Sequence, residues 1–321
     1  MKKEIHYQQV IEVGCGLDVH KETIVATIRS SSKDYETKEF SSFTSSLTEL
    51  RDWCKQKMVT HIAMESTGIY WKPVYNVLED DAFEIILVNA RHVKNIPGHK
   101  TDKKDSAWLS KLLLSGLLKG SFIPPVDIRE LRDLVRYKKK KTQVVAAEKN
   151  RMIKILEDCN VKLSSVVSDV QGASATKMVN AITKGETDIE KLILFAHGKL
   201  HAEKATIKKA LEGKVTEHHR FMLQMARESI EVNEALITKL DAQIEKASAK
   251  YKIEMDLLQT IDGVGKDSAI AIISEIGADM KQFPNEHHLA SWSGVSPGNN
   301  ESGGKKKAQE PFTETNIYNQ P

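Results

Sequence analysis

Two carboxylates three residues apart, Asp102 and Asp105, with Lys103 and Lys104 between them, are the side chains here best suited to chemistry. An apolar run at helical spacing follows them, Trp108, Leu109, Leu112, Leu113 and Leu117, and Thr101 is a candidate N-cap. That pattern predicts a helix with both acids in its first turn and on one face. The helix dipole favours acids there, so simple capping is one reading. The surroundings supply another. Carboxylates set among His92, Lys94, His99, Lys100, Lys103 and Lys104 suit a divalent metal held against a polyanionic substrate.

The preceding segments predict what would position this pair. Val13 to Asp18 and Thr23 to Arg29 read as two strands, the second rich in β-branched residues and well alternated. Asp18 closes the apolar run of the first strand, where an acid is costly unless solvated, paired or metal-bound, and a turn aspartate is the simpler alternative. A polar loop and an amphipathic helix should occupy 40–57, with Leu47, Leu50, Trp53 and Cys54 inward. A buried strand, Thr60 to Met64, runs straight into Glu65; a helix from Ile69 to Leu78 and a strand from Glu84 to Asn89 follow. Strands separated by single helices predict an α/β sheet, whose sites gather at the carboxyl ends of strands. Asp18, Glu65, Asp102 and Asp105 could then meet at one sheet edge.

Pro124-Pro125 marks a boundary, after which the pattern turns helical. Ile128, Leu131, Leu134, Val135, Val145, Met152, Ile155 and Leu156 recur at three- and four-residue steps, crossed by the run Lys138 to Lys141. Short helices and turns are expected over 162–198. From Ala202 to about Tyr251 a single periodic run of roughly 70 Å, at about 1.5 Å per residue, predicts a helical hairpin or coiled coil, with Met222 and Met225 as core filler. Met255 to Ala269 contains Gly263-Val264-Gly265 and Lys266 between helical segments, a helix-hairpin-helix pattern whose glycines let backbone N–H groups approach phosphates. An ordinary interhelical turn would look similar. Farther on, Ser302 precedes two glycines and Lys305, Lys306 and Lys307, a hydroxyl beside phosphate-binding charge that alone reads as a linker serine.

The chain of 321 residues, with 40% apolar and 28% charged residues, is long enough for two or three domains. The sequence divides at 1–125, 126–250 and 251–321. It holds no apolar stretch near the roughly 20 residues that span a bilayer, and its start lacks a secretory segment, so a cytoplasmic protein is expected. Its 3 cysteines, Cys15, Cys54 and Cys159, lie too far apart for a disulfide framework or a zinc cluster. The net charge of +3 hides a concentrated block: Arg91 to Lys154 carries 17 Lys/Arg against 6 Asp/Glu. Such a block favours a nucleic-acid partner, with a solvated helix face as the alternative.

Three segments, GLDVHKETIVATI, AMESTGIYWKPVYNVLE and VNARHVKNIPGHKTDKKDSAWLSKLL, resemble the amino-terminal domain of the DEDD transposases of insertion sequences. The likeness is to the IS110 type, including the IS1111 branch and the Piv pilin-gene invertases. The stretch from LLQTIDGVGKDSAIAIISEIG to LASWSGVSPGNNESGGKKK resembles that family's carboxyl-terminal transposase domain. The resemblance implies a RuvC-like (RNase H-type) fold for the first domain, with an acidic tetrad at Asp18, Glu65, Asp102 and Asp105. It implies a nucleophilic serine at Ser302, Mg²⁺ or Mn²⁺ as cofactor, and DNA as partner, gripped by Lys103, Lys104, Gly263, Gly265, Lys266 and Lys305 to Lys307. Oligomers (a dimer or tetramer) and, in some members, an element-encoded guide RNA are further implications. After SGGKKK the chain departs from the family pattern with AQEPFTETNIYNQP, which reads as a truncation leaving the serine domain incomplete.

Rival readings stay open at this point. A structure-specific junction endonuclease would use water and leave Ser302 idle. An actin-like sugar kinase shares an early strand aspartate, although its second phosphate loop is not apparent. A catalytically inactive nucleic-acid-binding remnant is the third.

Overall fold

In the computed structural model the described residues are 9–31, 34–66, 68–79, 83–89, 93, 105–167, 169–170, 172–196 and 204–295, with the backbone alone at 301–302 and 305–306. The chain divides into two compact units, Met1–Ile123 with Asp279–Pro321, and Pro124–Ala278.

The first unit is built on a mixed five-stranded sheet. Strands β1 (Gly14–Val19), β2 (Thr23–Arg29) and β3 (Tyr35–Ser41) form an antiparallel meander, and β4 (His61–Glu65) and β5 (Glu84–Val88) add on parallel to β1, giving the order β3-β2-β1-β4-β5. Strand β3 has no counterpart among the expected elements, and only its last two residues overlap the polar loop expected from Phe40. Only Phe40 of its residues is buried, because the strand lies at the sheet edge and solvates its charged side chains. Helices α1 (Thr44–Gln56) and α2 (Trp71–Leu78) cover one face. The expected Leu47, Leu50, Trp53 and Cys54 of α1 join Cys15, Leu17, Val19, Ile24, Ile62 and Met64 in that core.

Helix α3 (Asp105–Leu114) covers the other face. Here Leu109 and Leu112 pack with Val88 and Val93. The approach is unusually close: a Cβ on Gly16 would lie 2.3 Å from the Ser106 carbonyl oxygen and 2.5 Å from the Ser110 nitrogen. On Gly14 it would meet Leu113 Cδ2 at 2.8 Å. Alternate residues of β1 share a face, so Gly14, Gly16 and Asp18 look toward α3 while Cys15, Leu17 and Val19 look toward α1. Also within this unit, the rings of Phe122, Phe283 and Trp292 stack edge-on, with centroids 5.8 to 6.4 Å apart. Trp292 ends helix α11 (Glu286–Trp292), capped by the Asn285 side chain.

The second unit is helical. Its frame is α4 (Val126–Asp158) and α8 (Glu217–Ser248), of 33 and 32 residues or roughly 50 Å each at about 1.5 Å per residue. Their ion pairs fix them as antiparallel. Asp158 meets His219 at 3.0 Å, Lys149 meets Glu234 at 3.3 Å, Lys138 meets Asp241 at 2.6 Å, and Asp127 binds Lys250. The single run expected from Ala202 to Tyr251 is broken into α7 (Lys204–Leu211) and α8. Gly213 lets the chain pass against Cys159 and Val161, where a Cβ would sit 2.5 Å from backbone oxygen, and Thr216 with His219 forms a capping box that restarts the helix. The buried stripe of α8 is Leu223, Ala226, Ile230, Asn233 and Ile244; Met225 lies on the exposed side, and so is not core filler.

Short helices α5 (Ala173–Thr183) and α6 (Ile189–Ile193) join α7 around Leu163, Met178 and Leu192 at one end of the long pair. At the other end α9 (Lys252–Leu258) and α10 (Lys266–Ile276) pack on Ile128, Leu131 and Ile244. Arg132, nearly buried, donates to the Ser274 and Glu275 carbonyls at 3.0 and 2.7 Å, and Arg136 grips the Glu275 carboxylate at 2.8 and 2.7 Å. No described helix is long and apolar enough to cross a membrane.

Candidate active site

The register of two parallel strands brings the first two expected acids together. Leu17 of β1 pairs with Met64 of β4, so Asp18 and Glu65 occupy the next rung. Neighbouring strands lie about 4.8 Å apart, and residues in step share a face. Both acids therefore stand at the carboxyl ends of adjacent strands, where open α/β sheets build sites. Asp18 is the one residue of β1 that is not buried. His20 Nε2 lies 3.2 Å from its Oδ2, across the turn closed by the His20 N–H donating to Thr23 O at 2.9 Å.

Helix α3 delivers the third acid. Because Ser106 and Ser110 lie over Gly16 and Leu113 lies over Gly14, the helix runs opposite to β1 and its first turn approaches the end of the strand that carries Asp18. Asp105 opens that turn. Thr101, Asp102, Lys103 and Lys104 lie outside the described residues. Among the described residues no group of three or more His, Cys, Asp or Glu side chains is gathered to hold a metal ion. Asp18, Glu65 and Asp105 are thus neighbours along one edge and not a closed ligand shell. The donor set is nonetheless all hard carboxylate oxygen, the chemistry that Mg²⁺ and Mn²⁺ prefer over softer metals, so the residues present fit such an ion.

Beneath α3 runs a polar seam that sequence reasoning missed. The Thr27 hydroxyl lies 2.8 Å from Ser106 Oγ and 2.9 Å from Thr37 Oγ. Arg29 Nε donates to Ser110 Oγ at 3.2 Å, and that hydroxyl donates to Ala107 O at 2.9 Å. Thr27 and Ser110 are fully buried and Ser106 nearly so. Burial lowers the Arg29 pKa, and the nearby Tyr35 opposes that fall. A signal for the seam was present: glycines alternate on β1 while serines stand four apart on the helix.

Ser302 and Lys305 are register partners in a short antiparallel pair, β6 (Glu301–Ser302) with β7 (Lys305–Lys306), and Glu301 pairs with Lys306. Gly303, Gly304 and Lys307 lie outside the described residues. In the other unit Gly263 adopts φ of 85°, a left-handed conformation that suits glycine, and Gly265 is the N-cap of α10 without a side-chain cap. The Lys266 ammonium is exposed and 3.0 Å from Glu245. Of the basic run on α4, Lys138 is drawn inward by Asp241 and Asp267, which raise its pKa, whereas Lys139 and Lys140 are exposed.

A mixed sheet of order β3-β2-β1-β4-β5, with acids at the ends of β1 and β4, is consistent with an RNase H-like domain. Two family models match the chain. A transposase model of the DEDD, IS110 type matches residues 15–161, and the model of the transposase IS116/IS110/IS902 family matches residues 255–315. The chain belongs to the IS110 family of insertion-sequence transposases. No curated protein matches it.

Proposed function

We propose that this chain cleaves and rejoins DNA strands at the ends of an insertion sequence, with Asp18, Glu65, Asp102 and Asp105 as the metal-binding acids and Ser302 as nucleophile. The observation that carries the reading is the rung shared by Asp18 and Glu65 at the ends of two parallel strands, under a helix that begins with Asp105. Carboxylates drawn to one edge repel one another, and a bound cation would relieve that repulsion. Mg²⁺ or Mn²⁺ held there would polarise the scissile phosphodiester and stabilise charge on its oxygens.

The protein's own groups do the rest. The Ser302 hydroxyl attacks phosphorus; a Ser302 Oγ–P bond forms as one backbone P–O bond breaks, and the departing deoxyribose oxygen takes up a proton. A deoxyribose hydroxyl of the new strand then displaces Ser302 and restores its hydroxyl. Each step exchanges one phosphodiester for another, so no ATP is needed. Lys305, the register partner of Ser302, and Lys306 and Lys307 hold the phosphate backbone near the reacting serine. Lys103 and Lys104, between Asp102 and Asp105 in the sequence, do the same. The Gly263 turn and the uncapped start of α10, with Lys266, form a helix-hairpin-helix grip on phosphates farther along, without regard to base sequence.

The long antiparallel helices suit a spacer or an oligomer contact in a dimer or tetramer. The exposed Lys139 and Lys140 suit either DNA or an element-encoded guide RNA.

The test is strand cleavage of an element-end duplex with Mg²⁺, alongside DNA binding measured by gel shift. Asp18→Ala and Asp102→Ala should each abolish cleavage and leave DNA binding within about threefold, since neither removes a phosphate-gripping cation. Recombination at the parental rate in either variant would sink the acid assignment.

A further inference from the structure

We propose that Thr27 and Ser106 are positioning residues: their buried hydroxyl–hydroxyl bond fixes the first turn of α3, and with it Asp105, against the sheet edge bearing Asp18 and Glu65, and so sets the site's metal affinity. The inference rests on the acid-edge reading above and deepens it. Thr27 sits at the centre of the seam, 2.8 Å from Ser106 Oγ and 2.9 Å from Thr37 Oγ, and none of its surface reaches solvent. Its strand partner is Gly16, and the missing side chain there admits the Ser106 carbonyl. Ser106 directly follows Asp105, and Asp18 lies two residues beyond Gly16. The bond therefore ties the first turn of α3, which carries Asp105, to β2 at the residue paired with Gly16, two residues before Asp18 on the neighbouring strand.

Stability alone gives a poor reason for hydroxyls at this place. Replacing both partners of a buried hydrogen bond by apolar groups of similar shape is nearly neutral. A valine at 27 and an alanine at 106 would fill the seam about as well. An apolar contact, however, has no direction and lets a helix slide or rotate by fractions of an ångström, whereas a hydrogen bond between two short side chains fixes both distance and angle. Ligand geometry is sensitive on that scale. Groups behind a metal's own ligands change its affinity by about ten- to a hundredfold when removed.

The experiment is Mn²⁺ binding to the full chain without DNA, by calorimetry, with the melting temperature recorded for each variant. The double variant Thr27→Val/Ser106→Ala should bind Mn²⁺ about tenfold more weakly while melting close to the parent. Thr27→Ser, which keeps the hydroxyl, should retain the parental affinity. Asp18→Asn is the reference for the acid edge and should weaken binding at least as much as the double variant. If Asp18→Asn leaves Mn²⁺ affinity unchanged, the acid-edge reading itself fails and takes this inference with it. If Asp18→Asn weakens binding but the double variant does not, or Thr27→Ser falls as far as the double variant, only the positioning role is overturned. Should the double variant melt early, single Thr27→Val and Ser106→Ala chains decide the matter by the same comparison with Thr27→Ser.

Discussion

Helix α3 on its sheet and the long pair α4/α8 in the other unit are held by different means. Over β1 the helix backbone comes so near that Gly16 has no room for a Cβ, and the contact is finished by Thr27, Ser106, Ser110 and Arg29, all buried or nearly so. Along α4 and α8 a narrow apolar seam is flanked by a row of separate ion pairs, most with a partner well exposed to water. The first arrangement has one solution and little slack. The second has many weak contacts, any one of which can be lost. The difference matches what each region is proposed to carry: on the reading above the first positions the acids of one edge, whereas a long helical frame need only keep its length and direction.

Substituting within each region should expose the contrast. Gly16→Ala forces a Cβ against backbone atoms of α3 that cannot swing aside. We expect a loss of about 3 kcal/mol or more, read as the denaturation midpoint of the first unit. A stability within about 0.5 kcal/mol of the parent would mean that α3 does not lie so close to β1.

At the other extreme stands Asp127, which binds the Lys250 ammonium and the Tyr251 hydroxyl at the end of the α4/α8 pair. Burial opposes its ionisation, but those two partners more than reverse the effect and hold its pKa below the ordinary aspartate value. Burial and the Asp127 carboxylate together push the Tyr251 hydroxyl pKa upward. A depressed carboxylate contributes stability above its unfolded pKa, near 3.9, and loses it as pH falls through the lower folded value. Asp127→Asn should therefore cost at most about 1 kcal/mol at pH 7, because the pair is partly screened by water. That difference should shrink as the pH falls below about 4. A cost that stayed constant down to acid pH would assign it to packing instead.

The same contrast explains what the sequence disclosed. Strands β1, β2, β4 and β5 and helix α1 were legible because their apolar residues alternate or recur at helical steps, and the rung joining Asp18 to Glu65 follows once two strands run parallel. Strand β3 was not, since an edge strand such as Tyr35–Ser41 buries one side chain and otherwise reads as loop. The break before α8 was hidden because Leu211 and Val215 continue the periodic stripe across it, while the signals that end it, Gly213 and Thr216, act through a close approach and a cap. The seam under α3 was missed for a different reason. Threonine and serine read as surface residues, and only the facing element reveals that their hydroxyls satisfy each other. The helical pattern beginning at Asp105 was legible; Asp102, Lys103 and Lys104 lie outside the described residues.

One measurement bears most directly on the whole account: trapping of a covalent protein–DNA adduct on a labelled element-end substrate, with the linked peptide identified. The account predicts an adduct at Ser302 in the parent chain. It predicts none in Ser302→Ala or in Asp18→Asn, although both still bind the DNA. An adduct at Ser302 that survives Asp18→Asn, or strand cleavage by the Ser302→Ala chain at the parental rate, would contradict it.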